Sequence, residues 1–403
     1  DATVTYQGLR TEDGKTYEVL SVTPKGGFAE EIWYDPATTL PARTIVDYGR
    51  IKNITNISDY RSVDGLMLPA TAQMTYRYEA RDSYGHVQSF SSHDEVFKDT
   101  RIETAAPQAA ERFAMPPMTV SDVSLPGGET TLPFIMRNFW LFVDVRLNGQ
   151  GPFRMMLDSG GYNTLSPGVL ADIGATVTGK VPQSSDIPGT RPLRYTRVSS
   201  VEIGGATLAQ QDFRVGEISN PFVRNGMIGY ELFERFTTVL DYPNRRITLR
   251  LPQNGRQNND TGAAGDSSLP LEFDDTKPET ACRIDDTDAS CIVDTGAALA
   301  LLLTGPFTKA NAGIQPPWFA GAYTQVYGSD SASEVRYGPL SSFHLGPFKL
   351  SNLDTLFTTA GNGALAFYPS ALVGNRVWQN FIVVFDYANS ALRLMRTATF
   401  PSN

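Results

Sequence analysis

Two six-residue stretches of this chain end in the same way. Residues 155–160 read Met-Met-Leu-Asp-Ser-Gly, and residues 291–296 read Cys-Ile-Val-Asp-Thr-Gly. In each, an apolar run of strand character delivers a carboxylate (Asp158, Asp294), then a small hydroxyl (Ser159, Thr295), then a glycine (Gly160, Gly296). One such turn constrains little. Two in the same frame, in separate parts of one chain, predict a site built from both, because paired carboxylates that share a proton supply a general base and a general acid together.

The repeat extends well beyond the acids. Residues 227–249, from Met-Ile-Gly-Tyr to Ile-Thr-Leu, align without a gap on residues 372–394, from Leu-Val-Gly-Asn to Leu-Arg-Leu. Gly229 matches Gly374, Phe236 matches Phe381, Asp241-Tyr242 matches Asp386-Tyr387 and Asn244 matches Asn389, all at one spacing of 145 residues. The acids stand 136 residues apart, as do Leu165 and Leu301, so the second copy carries a modest insertion between its motifs. Val201-Glu-Ile-Gly-Gly and Phe343-His-Leu-Gly-Pro give a further matched strand and turn. A repeat of roughly 120 residues is too long for a solenoid unit and fits a duplication that yields two similar lobes around a cleft. A single Asp-Tyr-x-Asn could be dismissed as a hairpin turn; four matched features in one order could not.

Composition fills in the frame. With 35 Gly, 26 Pro and short Val/Ile/Phe/Tyr/Thr runs between turn signals, the chain reads as all-β. Helical periodicity is confined to Pro167–Ile173 and Tyr230–Phe236. Residues 1–103 form a first, antiparallel block, with strand candidates Thr16–Thr23, Ala29–Tyr34, Pro41–Tyr48, Ile51–Tyr60, Leu66–Ala80 and Val87–Phe97 separated by turns such as Asp64-Gly65 and Tyr84-Gly85. Residues 104–131, rich in Ala, Pro, Ser and Gly, read as a linker. Residues 132–251 form the first motif-bearing lobe, 252–268 a polar connector, and 269–398 the second lobe.

The formal charge of −9 argues against nucleic acid or an anionic membrane as a partner. No apolar run reaches the length of a membrane span, the greasiest being Ala297–Leu303. The chain starts at Asp1 with strand-like sequence and no signal peptide, the pattern of a processed or truncated form. The only cysteines are Cys282 and Cys291, with a turn-like Asp285-Asp286-Thr287-Asp288 between them. A hairpin there would bring the sulfurs together and brace the strand entering Asp294, which favours an oxidising compartment. The alternative is a pair of reduced, buried thiols. The scattered His86, His93 and His344 and the lack of a second cysteine pair predict no metal site. They also leave Ser159 without a base, and no Gly-x-Ser-x-Gly turn occurs, so serine-hydrolase chemistry is disfavoured. Glycosidase acids do not come as twin Asp-Ser/Thr-Gly turns.

Apolar-apolar-Asp-Ser/Thr-Gly followed by apolar-apolar-Gly, given twice, resembles the pepsin-like and retropepsin-like aspartic peptidases. The approach Leu147-Asn-Gly-Gln-Gly-Pro-Phe-Arg-Met-Met-Leu-Asp-Ser-Gly-Gly is similar to bacterial retropepsin-type proteins, and the resemblance spans residues 132–398. It implies two β lobes with Asp158 and Asp294 as the catalytic pair, and Ser159 and Thr295 reaching across to brace the opposite loop. Gly160 and Gly296 would let the backbones approach, with Ile228-Gly229 and Val373-Gly374 as strand crossings on the cleft floor. It implies no cofactor, an extended peptide as substrate, and flaps from Ile187–Val198 and Tyr323–Tyr337, with Tyr195 and Tyr327 as flap candidates. Gly161 and Ala297 stand where pepsin-like enzymes often place a Ser or Thr that donates to a catalytic carboxylate. Without that donor the pair should titrate higher than pepsin's, giving activity at mildly acidic to neutral pH.

In the first block, Glu31-Ile-Trp-Tyr-Asp-Pro-Ala-Thr-Thr-Leu-Pro-Ala-Arg and Tyr60-Arg-Ser-Val-Asp-Gly-Leu-Met-Leu-Pro resemble the LolA/LppX-like half-barrel of bacterial lipoprotein-carrier proteins. That resemblance implies a lipid or envelope contact through residues 1–103; an accessory or prosegment-like domain is the equal alternative. The combined expectation is an exported, monomeric aspartic endopeptidase, periplasmic or extracellular. The rival is a catalytically inactive peptide-binding or lipid-carrier protein on the same scaffold.

Overall fold

The computed structural model describes residues 2–24, 29–47, 51–81, 87–97, 120–181, 193–216, 218, 221–253, 267–274, 276–314, 320–325, 332–358, 371–398 and 400. Its contacts divide the chain into two compact units, Asp1–Pro116 and a second made of Pro117–Gln183 with Arg191–Asn403. The fold is all-β in both.

The first unit is a seven-stranded antiparallel meander in chain order: Ala2–Glu12, Lys15–Pro24, Glu30–Asp35, Leu40–Asp47, Ile51–Val63, Leu66–Arg81 and Val87–Phe97. Asp64-Gly65 turns with positive φ at both residues (50° and 83°), the geometry a two-residue hairpin loop needs. Asp13-Gly14 does the same and joins a first strand, Ala2–Glu12, in the stretch that reads as strand-like from Asp1 but lies outside the six bounded candidates. That strand is almost wholly exposed, so it lacks the alternation that marks a half-buried strand. Val19, Trp33, Ile54, Ala70 and Ala72 are buried. The Trp33 ring carries the guanidinium groups of Arg10 and Arg43 at 5.6 and 5.5 Å. The expected turn at Tyr84-Gly85 lies outside the described residues.

The second unit holds two sheets of matching topology. In the first lobe the path runs Ile135–Arg137, Trp140–Leu147, Gln150–Leu157, Gly226–Ile228, Thr164–Leu165, Ala206–Val215, Leu193–Ile203, Gly179–Val181. In the second it runs Glu272–Asp274, Lys277–Ile284, Thr287–Val293, Ala371–Val373, Leu301–Leu303, Phe348–Thr358, Ala332–Leu345, Ala320–Gln325. Strand for strand the order is the same. The matched turns close as expected: Ile203 pairs with Ala206 around Gly204 (φ 60°), and Leu345 with Phe348 around Gly346 (φ 56°).

A third sheet joins the lobes, in the order Ser267–Pro270, Ala391–Arg396, Phe381–Asp386, Thr237–Asp241, Arg246–Arg250, Glu129–Pro133. At its centre Thr238 faces Phe385, Val239 faces Val384 and Leu240 faces Val383. Because Thr238 corresponds to Val383 and Leu240 to Phe385 in the repeat, this register is that of a pseudo-twofold axis passing between Val239 and Val384. The Asp-Tyr-x-Asn turns flank it: Asn244 donates to Asp241, and Asn389 to Asp386.

Two boundaries move. Val123–Ser124 is a strand within the expected linker 104–131, Glu129–Pro133 begins inside that linker, and Ser267–Pro270 begins inside the expected connector 252–268. Five-residue edge segments with one buried side chain, such as Leu132, are too short for a sequence period to register. Helices occupy Pro167–Asp172 and Tyr230–Arg235 as expected; Gly305–Ala310 and Asn375–Trp378 are additional. Ser166 and Thr304 cap their helices through Val169 N–H and Phe307 N–H, each with proline in the first turn. Among the described residues no helix is long and apolar enough to cross a membrane.

Candidate active site

Each acid is delivered by a strand held on its other side by a parallel crossing. Met156 and Leu157 pair with Met227 and Ile228, and the Asp158 N–H donates to Ile228 O at 2.9 Å. Cys291, Ile292 and Val293 pair with Ala371, Leu372 and Val373, and the Asp294 N–H donates to Val373 O at 3.0 Å. The backbone then passes at Gly229 and Gly374. A Cβ on Gly229 would sit 2.4 Å from Gly161 O, and one on Gly374 would sit 2.4 Å from Leu299 O. Neither crossing has room for a side chain. The amides that follow bind the acid loops: Tyr230 N–H donates to Gly161 O, and Asn375 N–H to Ala297 O.

The loops grip one another through their hydroxyls. Ser159 N–H donates to Thr295 Oγ1 (2.9 Å), and Thr295 N–H donates to Ser159 Oγ (3.0 Å). Ser159 Oγ in turn donates to Val293 O (2.7 Å), and Thr295 Oγ1 to Leu157 O (3.1 Å). Both residues are fully buried. Only a hydroxyl can accept from one backbone and donate to another at the same atom, which is why these positions carry Ser and Thr.

Asp158 and Asp294 meet at this junction. The inner oxygen of each accepts from a glycine two residues on: Gly160 N–H at 3.0 Å for Asp158, Gly296 N–H at 2.7 Å for Asp294. The two carboxyls hydrogen-bond one another, a contact that needs a proton on one of them. Each keeps an accessible edge but is otherwise enclosed by protein. Burial pushes both above the ordinary carboxyl value. Asp294 is raised further, first by burial and then by the charge of Asp158. Two acids this close cannot both ionise cheaply, so the pair shares one proton.

The glycines of the loops are not equivalent. A Cβ on Gly296 would lie 2.4 Å from Asp158 Cγ, whereas one on Gly160 would lie 3.4 Å from Asp294 Cγ. A Cβ on Gly161 would lie 2.6 Å from Asp158 Oδ2, so the placed carboxylate fills the space that a donor side chain there would need.

Cys282 and Cys291 are joined as a disulfide. They sit diagonally across the hairpin, Cys282 opposite Ala289 and Cys291 opposite Thr280, three residues before Asp294. Tyr195 lies at the base of the pairing between Gly179–Val181 and Leu193–Ile203, opposite Gly179 and Arg214. Tyr327 lies outside the described residues. In the second lobe the place of Tyr195 belongs to Tyr337, opposite Ala320 and Leu356. The sequence held that signal, since both tyrosines stand nine residues before the matched glycines Gly204 and Gly346.

Two further residues at the junction escaped the sequence reading. Trp140 Nε1 donates to Gly296 O at 2.9 Å. Asn375, fully buried, donates to Thr295 O and Phe139 O and accepts from Tyr242. Nothing in residue type or local spacing marks a buried amide as a loop anchor.

Comparison with known proteins centres on this region. Residues 143–232 match the sequence family described as aspartyl protease. That span contains the first acid loop and its crossing strand. No curated protein matches the chain. Among solved structures, a retropepsin-like aspartic protease from Rickettsia conorii is similar at 18% identity, covering 32% of this chain and 89% of that one, with a TM-score of 0.26.

Proposed function

We propose that the protein is an aspartic endopeptidase whose acids are Asp158 and Asp294. The observation that carries this reading is the hydrogen-bonded carboxyl pair, held in one frame by the reciprocal Ser159 and Thr295 bonds. In the working state Asp158 is the base and Asp294 the acid. A water held between them loses a proton to Asp158 and attacks the substrate carbonyl, whose oxygen takes the proton of Asp294. The tetrahedral diol collapses as the amide nitrogen is protonated and the C–N bond breaks, which returns one proton to the pair. No bond forms between enzyme and substrate.

One chain supplies both acids, so a monomer suffices. The substrate is an extended peptide lying across the pair. The disulfide supports an exported protein in an oxidising compartment. The seven-stranded sheet of the first unit is an accessory domain in this account, and a lipid or envelope contact through it remains part of the proposal.

The test is cleavage of an unfolded protein by the full chain, followed by mass, over a range of acidic to neutral pH. Defined fragments from wild type and none from Asp158→Asn support the reading. Binding of the same chains without any cleavage would identify a peptide-binding protein instead.

A further inference from the structure

Asn375 occupies the first position after the Gly374 crossing and is fully buried. Its Nδ2 donates to Thr295 O at 2.6 Å and to Phe139 O at 2.7 Å, and its Oδ1 accepts from the Tyr242 hydroxyl at 2.7 Å. Both N–H donors of the amide and one of its two acceptor sites are thereby used within the protein. Phe139 and Tyr242 belong to the first lobe, and Thr295 to the acid loop of the second. The Thr295 carbonyl lies in the same peptide unit as the Gly296 N–H, and that N–H donates to Asp294 at 2.7 Å. A hydrogen bond accepted by a peptide oxygen strengthens donation by the N–H of the same peptide. The chain Asn375 Nδ2–H to Thr295 C=O, then Gly296 N–H to Asp294 Oδ1, is thus a two-step relay from a buried amide to a reacting carboxyl. At the corresponding place in the first lobe stands Tyr230, which cannot supply an amide and whose ring packs against Phe273 and Tyr387.

We propose that Asn375 is a positioning residue of the reaction: it fixes the second acid loop to the first lobe and, through the Thr295–Gly296 peptide, strengthens the hydrogen bond that steadies Asp294 as negative charge passes to it. This rests on the peptidase reading. The other ionisable groups around the pair do not compete for this role. Tyr242 and Tyr387 are buried phenols held well above their ordinary value, first by burial, and stay neutral. Arg376 lies over the Phe139 ring at 4.4 Å and reaches Asp354 at 4.0 Å. Asp158 is the partner acid itself.

Loss of the relay weakens the support for ionised Asp294, so ionisation of Asp294 moves to higher pH. The experiment is a pH–rate profile of the full chain on a peptide that wild type cleaves, for wild type, Asn375→Leu and Val377→Ala. Val377 is buried in the same helix, and its truncation removes packing without touching the relay. Asn375→Leu should lower kcat about tenfold with KM changed less than about threefold, and move the alkaline limb, where Asp294 loses its proton, upward by roughly half a pH unit. Val377→Ala should lower the unfolding midpoint and leave the limb in place. Should Asn375→Leu not fold, Asn375→Asp keeps the shape and turns oxygens toward two carbonyls, and the kcat loss should be at least as large. An unchanged profile for a folded Asn375 variant, or the same shift in Val377→Ala, overturns the proposal. If wild type cleaves nothing under any condition, it is the peptidase reading that falls first.

Discussion

Ser159 and Thr295, 136 residues apart in the chain, each accept the other's backbone N–H on a side-chain oxygen and donate that oxygen's proton to the carbonyl two residues before the opposite residue. Four hydrogen bonds therefore close a ring between two loops from different lobes. The acids ride on that ring, so their separation is set by backbone geometry and not by the swing of free side chains. In the proposed peptidase, preorganisation of this kind would spare the carboxyls any rearrangement on substrate binding.

Removing either hydroxyl strands one buried N–H and one buried carbonyl. Ser159→Ala should cost about 1–3 kcal/mol, read from urea unfolding, with Thr295→Ala similar. The double variant should cost less than the two together, because both break the same ring. Strict additivity would mean the ring is not a unit.

The loop glycines should behave differently. Gly296→Ala drives a methyl into the Asp158 carboxyl, while Gly160→Ala meets Asp294 near ordinary contact. The first should lose activity by more than about 100-fold and the second by less than about tenfold. Equal losses in kcat/KM at both positions would contradict the placement of the pair.

Stability should report the raised acids directly. A carboxyl whose folded value lies above its unfolded value of 3.8 stabilises the fold below that value and loses this contribution as pH rises through the folded value. At neutral pH the pair is therefore a net cost. Asp294→Asn should unfold at higher denaturant than wild type at pH 7, with the advantage gone near pH 3.5. Equal midpoints at both pH values would show an unperturbed Asp294.

The disulfide closes a short hairpin loop, worth about 2–3 kcal/mol by chain entropy. Cys282→Ser with Cys291→Ser should lower stability by that amount in urea. Because Cys291 stands on the strand that enters Asp294, the thermal midpoint of activity should fall with it.

Much of this was legible from residues alone. The twin acid turns, the constant spacing from Gly229 and Gly374 to Asn244 and Asn389, and the matched turns at Gly204 and Gly346 pointed to two sheets of matching topology, since each is a backbone requirement that few residue types meet. Strand Ala2–Glu12 reads as strand-like but without bounds, because exposure on both faces erases alternation. Glu129–Pro133 was missed because its pairing with Arg246–Arg250 is a long-range event written in neither segment. Asn375 and Trp140 were missed for a related reason. Their hydrogen bonds go to backbone carbonyls, and a carbonyl leaves no mark of its identity in the sequence.

The most direct test of the paired acids is a double-mutant cycle. The quantity to measure is kcat/KM on one defined peptide for wild type, Asp158→Asn, Asp294→Asn and the variant carrying both. Groups that act as one unit are not additive. Each single change should therefore lower kcat/KM by at least about a thousandfold, and the second change should add almost nothing. Independent, multiplying losses, or a single variant that retains wild-type cleavage, would contradict it.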